Sequence, residues 1–72
     1  MERQPVVSSD LASIGYDAAA QTLEIEFKAT GIYRYFSVPK EVYDQLATTP
    51  SPGKFFLANI KGKFAWEKVA AQ

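Results

Sequence analysis

The sequence predicts a small α+β domain, in which a three-stranded antiparallel sheet is followed by two helices that pack on one face of it. Three observations lead to this fold class. The chain has 72 residues, which is about enough for one hydrophobic core and too few for a second. Apolar and polar residues alternate in its first half, as they do in half-buried strands. Its second half contains two segments that each begin at a proline, a residue favoured in the first turn of helices.

The first two strands are predicted from this alternation. Residues 11–16 form the first strand, in which Ile14 and Tyr16 share one face and Ser13 lies on the other. Residues 23–28 form the second strand, because three apolar residues alternate there with three charged ones. That pattern is typical of an antiparallel strand with one buried and one solvated face.

A hairpin leads to the third strand. Residues 29–31 predict a three-residue loop, because Gly31 can adopt the positive φ that closes such a turn. The third strand then covers residues 32–38.

Both helices are predicted from proline and from apolar spacing. Pro39 ends the third strand and begins a helix over residues 40–47. Its apolar edge consists of Val42, Tyr43 and Leu46. The second helix begins at Ser51 and Pro52 and stops at Gly62. Its apolar residues recur every four positions and are expected in the core: Phe56, Ile60 and Phe64.

The two ends of the chain are less regular. Residues 1–7 are expected to be a flexible lead-in to one domain over residues 8–72. Near the C-terminus, Phe64, Trp66 and Val69 are separated by polar residues. This pattern fits either a short additional strand or a tail that lies across the core.

Composition limits the possible functions. Eight basic and eight acidic residues cancel, so any nucleic-acid surface must be local. With no cysteine and no histidine, disulfides, zinc fingers and imidazole catalysis are excluded. Glu24 and Glu26 lie on the charged face of a predicted strand, where two solvated carboxylates are poor acid–base catalysts. We therefore expect no enzymatic activity, no metal and no cofactor.

Targeting signals are also missing from the sequence. No stretch has the apolar core of a signal peptide or the roughly 18 apolar residues that span a bilayer. We expect a cytoplasmic protein that does not contact membranes.

Five short motifs, in this order, resemble the KTSC domain. They are Ser8-Ser9, Ile14-Gly15-Tyr16-Asp17, Leu23-Glu24-Ile25-Glu26-Phe27, Tyr33-Arg34-Tyr35 before Val38-Pro39, and the lysine- and phenylalanine-rich segment 51–64. This family is named for a module at the C-terminus of some lysyl-tRNA synthetases and also occurs as small bacterial proteins. The resemblance covers about residues 8–64 and implies a Tyr-x-Tyr pair as the central mark, with RNA binding as the proposed role. The family's Asn after the aromatic pair of the second helix is replaced here by Leu57.

The Tyr-x-Tyr pair has two physical interpretations. In the first, Tyr33 and Tyr35 form a platform for unstacked bases, and Arg34 contacts phosphate. In the second, a loop centred on Thr30 places Phe27 opposite Tyr33, so that both tyrosine rings face the core. Arg34 would then lie beside the glutamates of the second strand.

The C-terminal third supplies further candidates. Residues 51–72 contain four lysines and one glutamate, whereas residues 1–30 contain five acidic and two basic residues. Lysines interleaved with aromatic residues are typical of single-stranded nucleic-acid sites and also of ordinary amphipathic elements. The candidates in this region are Lys54, Lys61, Lys63 and Trp66. Lys54 also follows the predicted start of the second helix, where free backbone N–H groups could hold an anion. The favoured alternative is a simply capped helix with solvated lysines.

Two functions follow from these candidates. One is a weak RNA-binding module for single-stranded RNA or tRNA, which uses the Tyr-x-Tyr strand and the basic C-terminal third. The other is a protein-interaction or accessory domain with an unknown protein partner, which uses an exposed aromatic patch or a sheet edge.

Overall fold

The computed structural model describes residues 1–70 and contains one antiparallel sheet and two helices. The strands are β1 (Arg3–Pro5), β2 (Leu11–Asp17), β3 (Thr22–Phe27), β4 (Gly31–Tyr35) and β5 (Trp66–Ala70). The helices are α1 (Lys40–Thr48) and α2 (Pro52–Asn59), both between β4 and β5. Strands adjacent in sequence are adjacent in the sheet, in the order β1-β2-β3-β4-β5. Residues 71 and 72, included in the predicted domain, lie outside the described part of the chain.

The prediction of an α+β fold is confirmed, but the three-stranded sheet is wrong because the described sheet has five strands. The first additional strand comes from the expected lead-in, where Arg3 pairs with Gly15 of β2. A Cβ built on Gly15 would lie 2.6 Å from the carbonyl oxygen of Glu2, so glycine lets the two backbones approach. The second is β5, which pairs with β4. Of the two alternatives for the C-terminal segment, the strand is therefore correct.

The β3–β4 hairpin differs from the prediction by two residues. Phe27 pairs with Gly31, and the loop is residues 28–30. Tyr33 therefore lies opposite Ile25, and Tyr35 opposite Leu23. A shift of two residues leaves every side chain on its predicted face, because the side-chain period of a strand is two. The strand also ends at Tyr35 and not at residue 38.

Both helices form close to their predicted positions. Pro39 precedes α1 in an extended conformation, with ψ 149°. Pro52 occupies the first turn of α2. The second helix ends at Asn59, earlier than predicted, and Gly62 lies in the turn that follows, with φ +76°. The described residues include no helix long and apolar enough to span a bilayer.

The core lies between the helices and one face of the sheet. Its fully buried aliphatic side chains are Leu11, Ile14, Leu23, Ile25, Val38, Leu46 and Ile60. Tyr35 and Phe56 are the buried aromatic residues in this cluster. Phe64, expected in the core, is only partly buried and packs against its edge. Core packing on one face leaves the other face of the sheet without a helix, so polar side chains must cover it.

A charged network covers the central strands on that outer face. Glu24 is only 4% exposed, and its carboxylate bridges two arginines. Arg3 Nη1 donates to Glu24 Oε2 at 2.5 Å, and Arg34 Nε donates to Oε1 at 2.9 Å. Burial acts to raise the pKa of Glu24, but the hydrogen bonds from Arg34 and Arg3 outweigh it and hold that pKa below its ordinary value. The network ties β1, β3 and β4 together.

Candidate functional site

An open groove lies on the helix side of the sheet, between the end of α2 and strands β4 and β5. Its volume is about 300 Å³. The lining residues are mostly aromatic: Phe27, Thr30, Tyr33, Tyr35, Phe56, Lys61, Gly62 and Trp66. Near this edge of the sheet, Phe27 and Tyr33 are half-buried and Trp66 is exposed. We call this groove the aromatic groove.

The rings of the aromatic groove form a connected set. Tyr33 lies between Phe27 and Trp66, with ring centroids 5.6 Å and 5.5 Å away. Tyr35 packs edge-on against Phe56, with centroids 5.6 Å apart. Phe27 also packs edge-on against Phe56, with centroids 5.0 Å apart, which links the five rings. Trp66 nevertheless remains 56% exposed and so presents free aromatic surface.

The two tyrosines of the Tyr-x-Tyr pair face the helices, as the core-side interpretation expects. Their environments differ, because Tyr35 is 5% exposed whereas Tyr33 is half-buried beside the groove. The platform is therefore not on the open outer face. Tyr33 and Trp66 together form the accessible aromatic surface, and Tyr35 forms the floor beneath it.

Two lysines accompany these rings. Lys61 lines the aromatic groove. Lys68 lies opposite Tyr33 across the β4–β5 pair, with its Nζ 5.8 Å from the Tyr33 ring centroid. This distance is in the range of a cation–π contact. The groove thus joins exposed aromatic surface to positive charge.

The structure brings together only some of the predicted site residues. Tyr33, Tyr35, Lys61 and Trp66 line one groove. The other three candidates, Arg34, Lys54 and Lys63, do not line it. Arg34 lies on the opposite face of the sheet, in the ion pair with Glu24. It pairs with Glu24 across the strands, while Ile32 is the residue opposite Glu26.

Three residues of this region are not among the predicted site residues, namely Phe27, Phe56 and Lys68. The two phenylalanines looked like ordinary core residues, and their burial in the groove wall depends on the tertiary fold. The position of Lys68 is predictable from the sequence, because residues two apart in a strand share a face. Once β5 is recognised as a strand, Trp66 and Lys68 must point to the same side.

The start of α2 does not present an open anion site. A Cβ built on Gly53 would lie 2.8 Å from Oδ2 of Asp10, so this carboxylate already lies against the first turn. The Ser51 side chain makes no capping hydrogen bond. Lys54 is exposed, lies near this carboxylate and does not line the aromatic groove. A second anion would meet the negative charge of Asp10, which disfavours phosphate binding at this position.

Metal-binding side chains do not cluster in residues 1–70. No group of three or more aspartates and glutamates in this part of the chain could hold an ion. The arrangement that the structure offers is a groove lined by aromatic and cationic side chains.

Comparison with known proteins gives the family. The sequence profile of the KTSC domain matches residues 7–64. The crystal structure of a KTSC domain protein from Yersinia pestis has a TM-score of 0.94 at 43% identity, covering 96% of this chain and 97% of that one. A protein from Tsukamurella paurometabola is 41% identical over 85% of this chain and 91% of its own.

Longer relatives contain the same region. The lysine–tRNA ligase of Trichormus variabilis is 42% identical over 55 residues, or 76% of this chain. The chain spans only 10% of the length of that ligase. The profile match covers most of the chain, and the matched crystal structure agrees along almost its whole length. The chain therefore belongs to the KTSC domain family.

Proposed function

We propose that this chain is a non-enzymatic module that binds single-stranded RNA or the unpaired regions of tRNA weakly in the aromatic groove. The observation that carries the proposal is the pairing of exposed aromatic surface on Trp66 with Lys61 and Lys68 at the same groove. Proteins that bind single strands combine these two features, because bases stack on rings while cations neutralise the backbone.

The energetics fit a weak interaction. Stacking one base on an aromatic side chain contributes about 1–3 kcal/mol. Trp66 offers such a face without any disruption of the core, because its ring is already more than half exposed. A base stacked on the face of Tyr33 that Lys68 covers would displace the Lys68 ammonium from the ring. That ammonium would then be free to contact a neighbouring phosphate, so the cation–π contact is exchanged for an ion pair.

The relatives support an RNA ligand. Lysine–tRNA ligases act on tRNA, and regions of about a tenth of their length resemble this chain. A domain of this family thus occurs in proteins that handle RNA. By analogy, we propose that this chain also contacts RNA, and that the aromatic groove is the contact site.

Affinity measurements with two matched pairs of variants test the proposal. Fluorescein-labelled single-stranded RNA and tRNA would be titrated at low salt and read by anisotropy. Trp66→Ala should weaken binding about 5- to 150-fold, the equivalent of one lost stacking contact. Leu57→Ala is its control, because Leu57 is similarly exposed, at 60%, and lies outside the aromatic groove.

The second pair separates a specific contact from general positive charge. Lys61→Ala should weaken binding and reduce the salt dependence of the affinity, because one phosphate contact is lost. Lys54→Ala removes the same charge outside the groove and should have little effect. Absence of RNA binding by the wild type, or equal losses for both lysine variants, would contradict the proposal.

A second candidate function is contact with another protein through β5. All five residues of this edge strand are exposed, and Trp66 and Val69 are its large apolar side chains. Exposed strand edges can pair with an added strand. Salt distinguishes the two functions, because RNA affinity should fall steeply with ionic strength and an apolar protein contact should not.

A further inference from the structure

The Tyr35 hydroxyl is an unusual group at the floor of the aromatic groove. The residue is 95% buried, yet its hydroxyl has no hydrogen-bond partner within the described part of the chain. Tyr16 behaves differently, since its hydroxyl donates to the Val38 carbonyl at 2.6 Å. Within residues 1–70, no fully buried side-chain oxygen or nitrogen lacks a partner. The Tyr35 hydroxyl must therefore reach solvent, and the aromatic groove is the cavity that Tyr35 lines.

This hydroxyl is suited to hydrogen bonding with a ligand. Burial, assisted by the neighbouring Tyr33, raises the pKa of Tyr35 to about 12. The group therefore keeps its proton at all physiological pH values and can both donate and accept. A ligand that expels water from the groove must replace the hydrogen bond to this group or lose affinity.

We infer that the Tyr35 hydroxyl selects the ligand by hydrogen bonding to the edge of one unpaired nucleobase, while the face of that base lies against Trp66 and Tyr33. This inference rests on the proposed function and names the selective contact within it. A nucleobase matches the groove because its faces are apolar and its donors and acceptors lie along its edge. Aliphatic side chains of a protein partner would leave the hydroxyl unpaired.

The size of the groove indicates a single base. Its volume of about 300 Å³ is at the lower end of the range for small-molecule pockets, roughly 300–1,000 Å³. The groove has one floor hydroxyl, so a single base edge can be read there, and flanking nucleotides would lie outside. Selectivity should therefore be limited to one position of a bound strand.

Tyr35→Phe tests the inference, since it removes the hydroxyl and keeps the ring that packs on Phe56. The probes are hexaribonucleotides of adenosine, cytidine or uridine, each titrated into wild type and variant. We expect wild type to prefer one of the three. The variant should bind the preferred oligomer about 2- to 10-fold more weakly, the range for one hydrogen bond, so that the three affinities converge.

Tyr43→Phe is the matched control. It removes a tyrosine hydroxyl from α1, outside the groove, while the ring stays stacked on Tyr16 at 5.1 Å. The affinities of Tyr43→Phe for the three oligomers should equal those of wild type. Because the Tyr35 hydroxyl has no hydrogen-bond partner among residues 1–70, the urea midpoint of Tyr35→Phe should also remain at or above that of wild type. This measurement separates lost recognition from lost folding.

The outcomes distinguish this inference from the proposed function. If wild type binds the oligomers and Tyr35→Phe binds all three with unchanged affinities, the inference is overturned and RNA binding stands. The inference is also overturned if wild type binds all three equally. If wild type binds none of them at low salt, both proposals fail.

Discussion

Replacement of Glu24 by glutamine should destabilise the fold more than any loss of an exposed ion pair. Glu24 accepts hydrogen bonds from Arg3 at 2.5 Å and from Arg34 at 2.9 Å. Its side chain is only 5% exposed, and glutamine has nearly the same shape. The substitution therefore removes charge with little change in volume.

The magnitude follows from the exposure of the partners. Each hydrogen bond to a charged group contributes about 1.5–3 kcal/mol. The Arg3 and Arg34 side chains are 29% and 40% exposed, so water would recover part of this loss after substitution. The glutamine carbonyl also keeps one neutral hydrogen bond. We expect a loss of about 2 kcal/mol in the free energy of unfolding, or a decrease of about 1–2 M in the urea midpoint.

Urea unfolding at several pH values provides the assay. The folded-state pKa of Glu24 is below the ordinary value of 4.5. Its stabilising contribution is thus complete above about pH 4.5 and is lost as the pH falls through the lowered pKa. The difference between wild type and Glu24→Gln should be constant near pH 7 and shrink in acid.

Asp44→Asn provides the control. It breaks an ion pair with Lys40 at 3.1 Å, whose side chains are 63% and 53% exposed. Such pairs on a helix surface contribute only a few tenths of a kcal/mol, about 0.3–0.5. Equal destabilisation by the two variants, or a Glu24→Gln difference that persists unchanged in acid, would refute the reasoning.

Two further predictions concern alkali and the N-terminal strand. The folded-state pKa of Tyr35 is raised to about 12 from 10.0, so its neutral form stabilises the fold fully below pH 10 and this contribution is lost as the pH rises toward 12. Urea melts should show that wild type loses about 2 kcal/mol more than Tyr35→Phe between these pH values; parallel losses would contradict the burial of this group. Gly15→Ala should cost about 1–3 kcal/mol, because the new Cβ would lie 2.6 Å from the Glu2 carbonyl oxygen and displace β1. Hydrogen exchange would show earlier exchange of the β1 amides, and unchanged protection would mean that β1 does not approach Gly15 this closely.

The central part of the fold is predictable from local patterns. Strand β3 alternates between apolar and charged residues, so its apolar face must be the buried one. The predicted hairpin register differs from the observed one by two residues, and a shift of two leaves each side chain on the same face. The proline-led helices were equally clear. Local propensity and tertiary packing agree in these elements.

The two outer strands depend on contacts that the sequence shows only indirectly. Strand β1 has three residues and includes Pro5, which gives no alternation to detect. It forms because Gly15 leaves room for its backbone and because Arg3 reaches Glu24, contacts that join distant parts of the chain. For the segment that forms β5, the sequence fits either a strand or a tail across the core, because the alternation does not show which strand it would pair with.

The candidate site was predictable in composition but not in arrangement. Tyr33 lies far from Lys61 and Trp66 in sequence, and its ring meets Trp66 only because β5 returns beside β4. Arg34 and Lys54 fit the composition equally well, yet the sheet and the start of α2 place them elsewhere. Spacing along the chain does not show which candidates line the groove, because that depends on which elements become neighbours in the fold.

Amide chemical-shift mapping during titration with single-stranded RNA tests the RNA-binding proposal most directly. We predict that the largest changes occur at Tyr33, Lys61, Trp66 and Lys68, that they saturate together, and that they diminish as salt is added. Saturable changes centred on the outer face around Arg34, or no changes at low salt, would contradict the assignment of the aromatic groove as the RNA site.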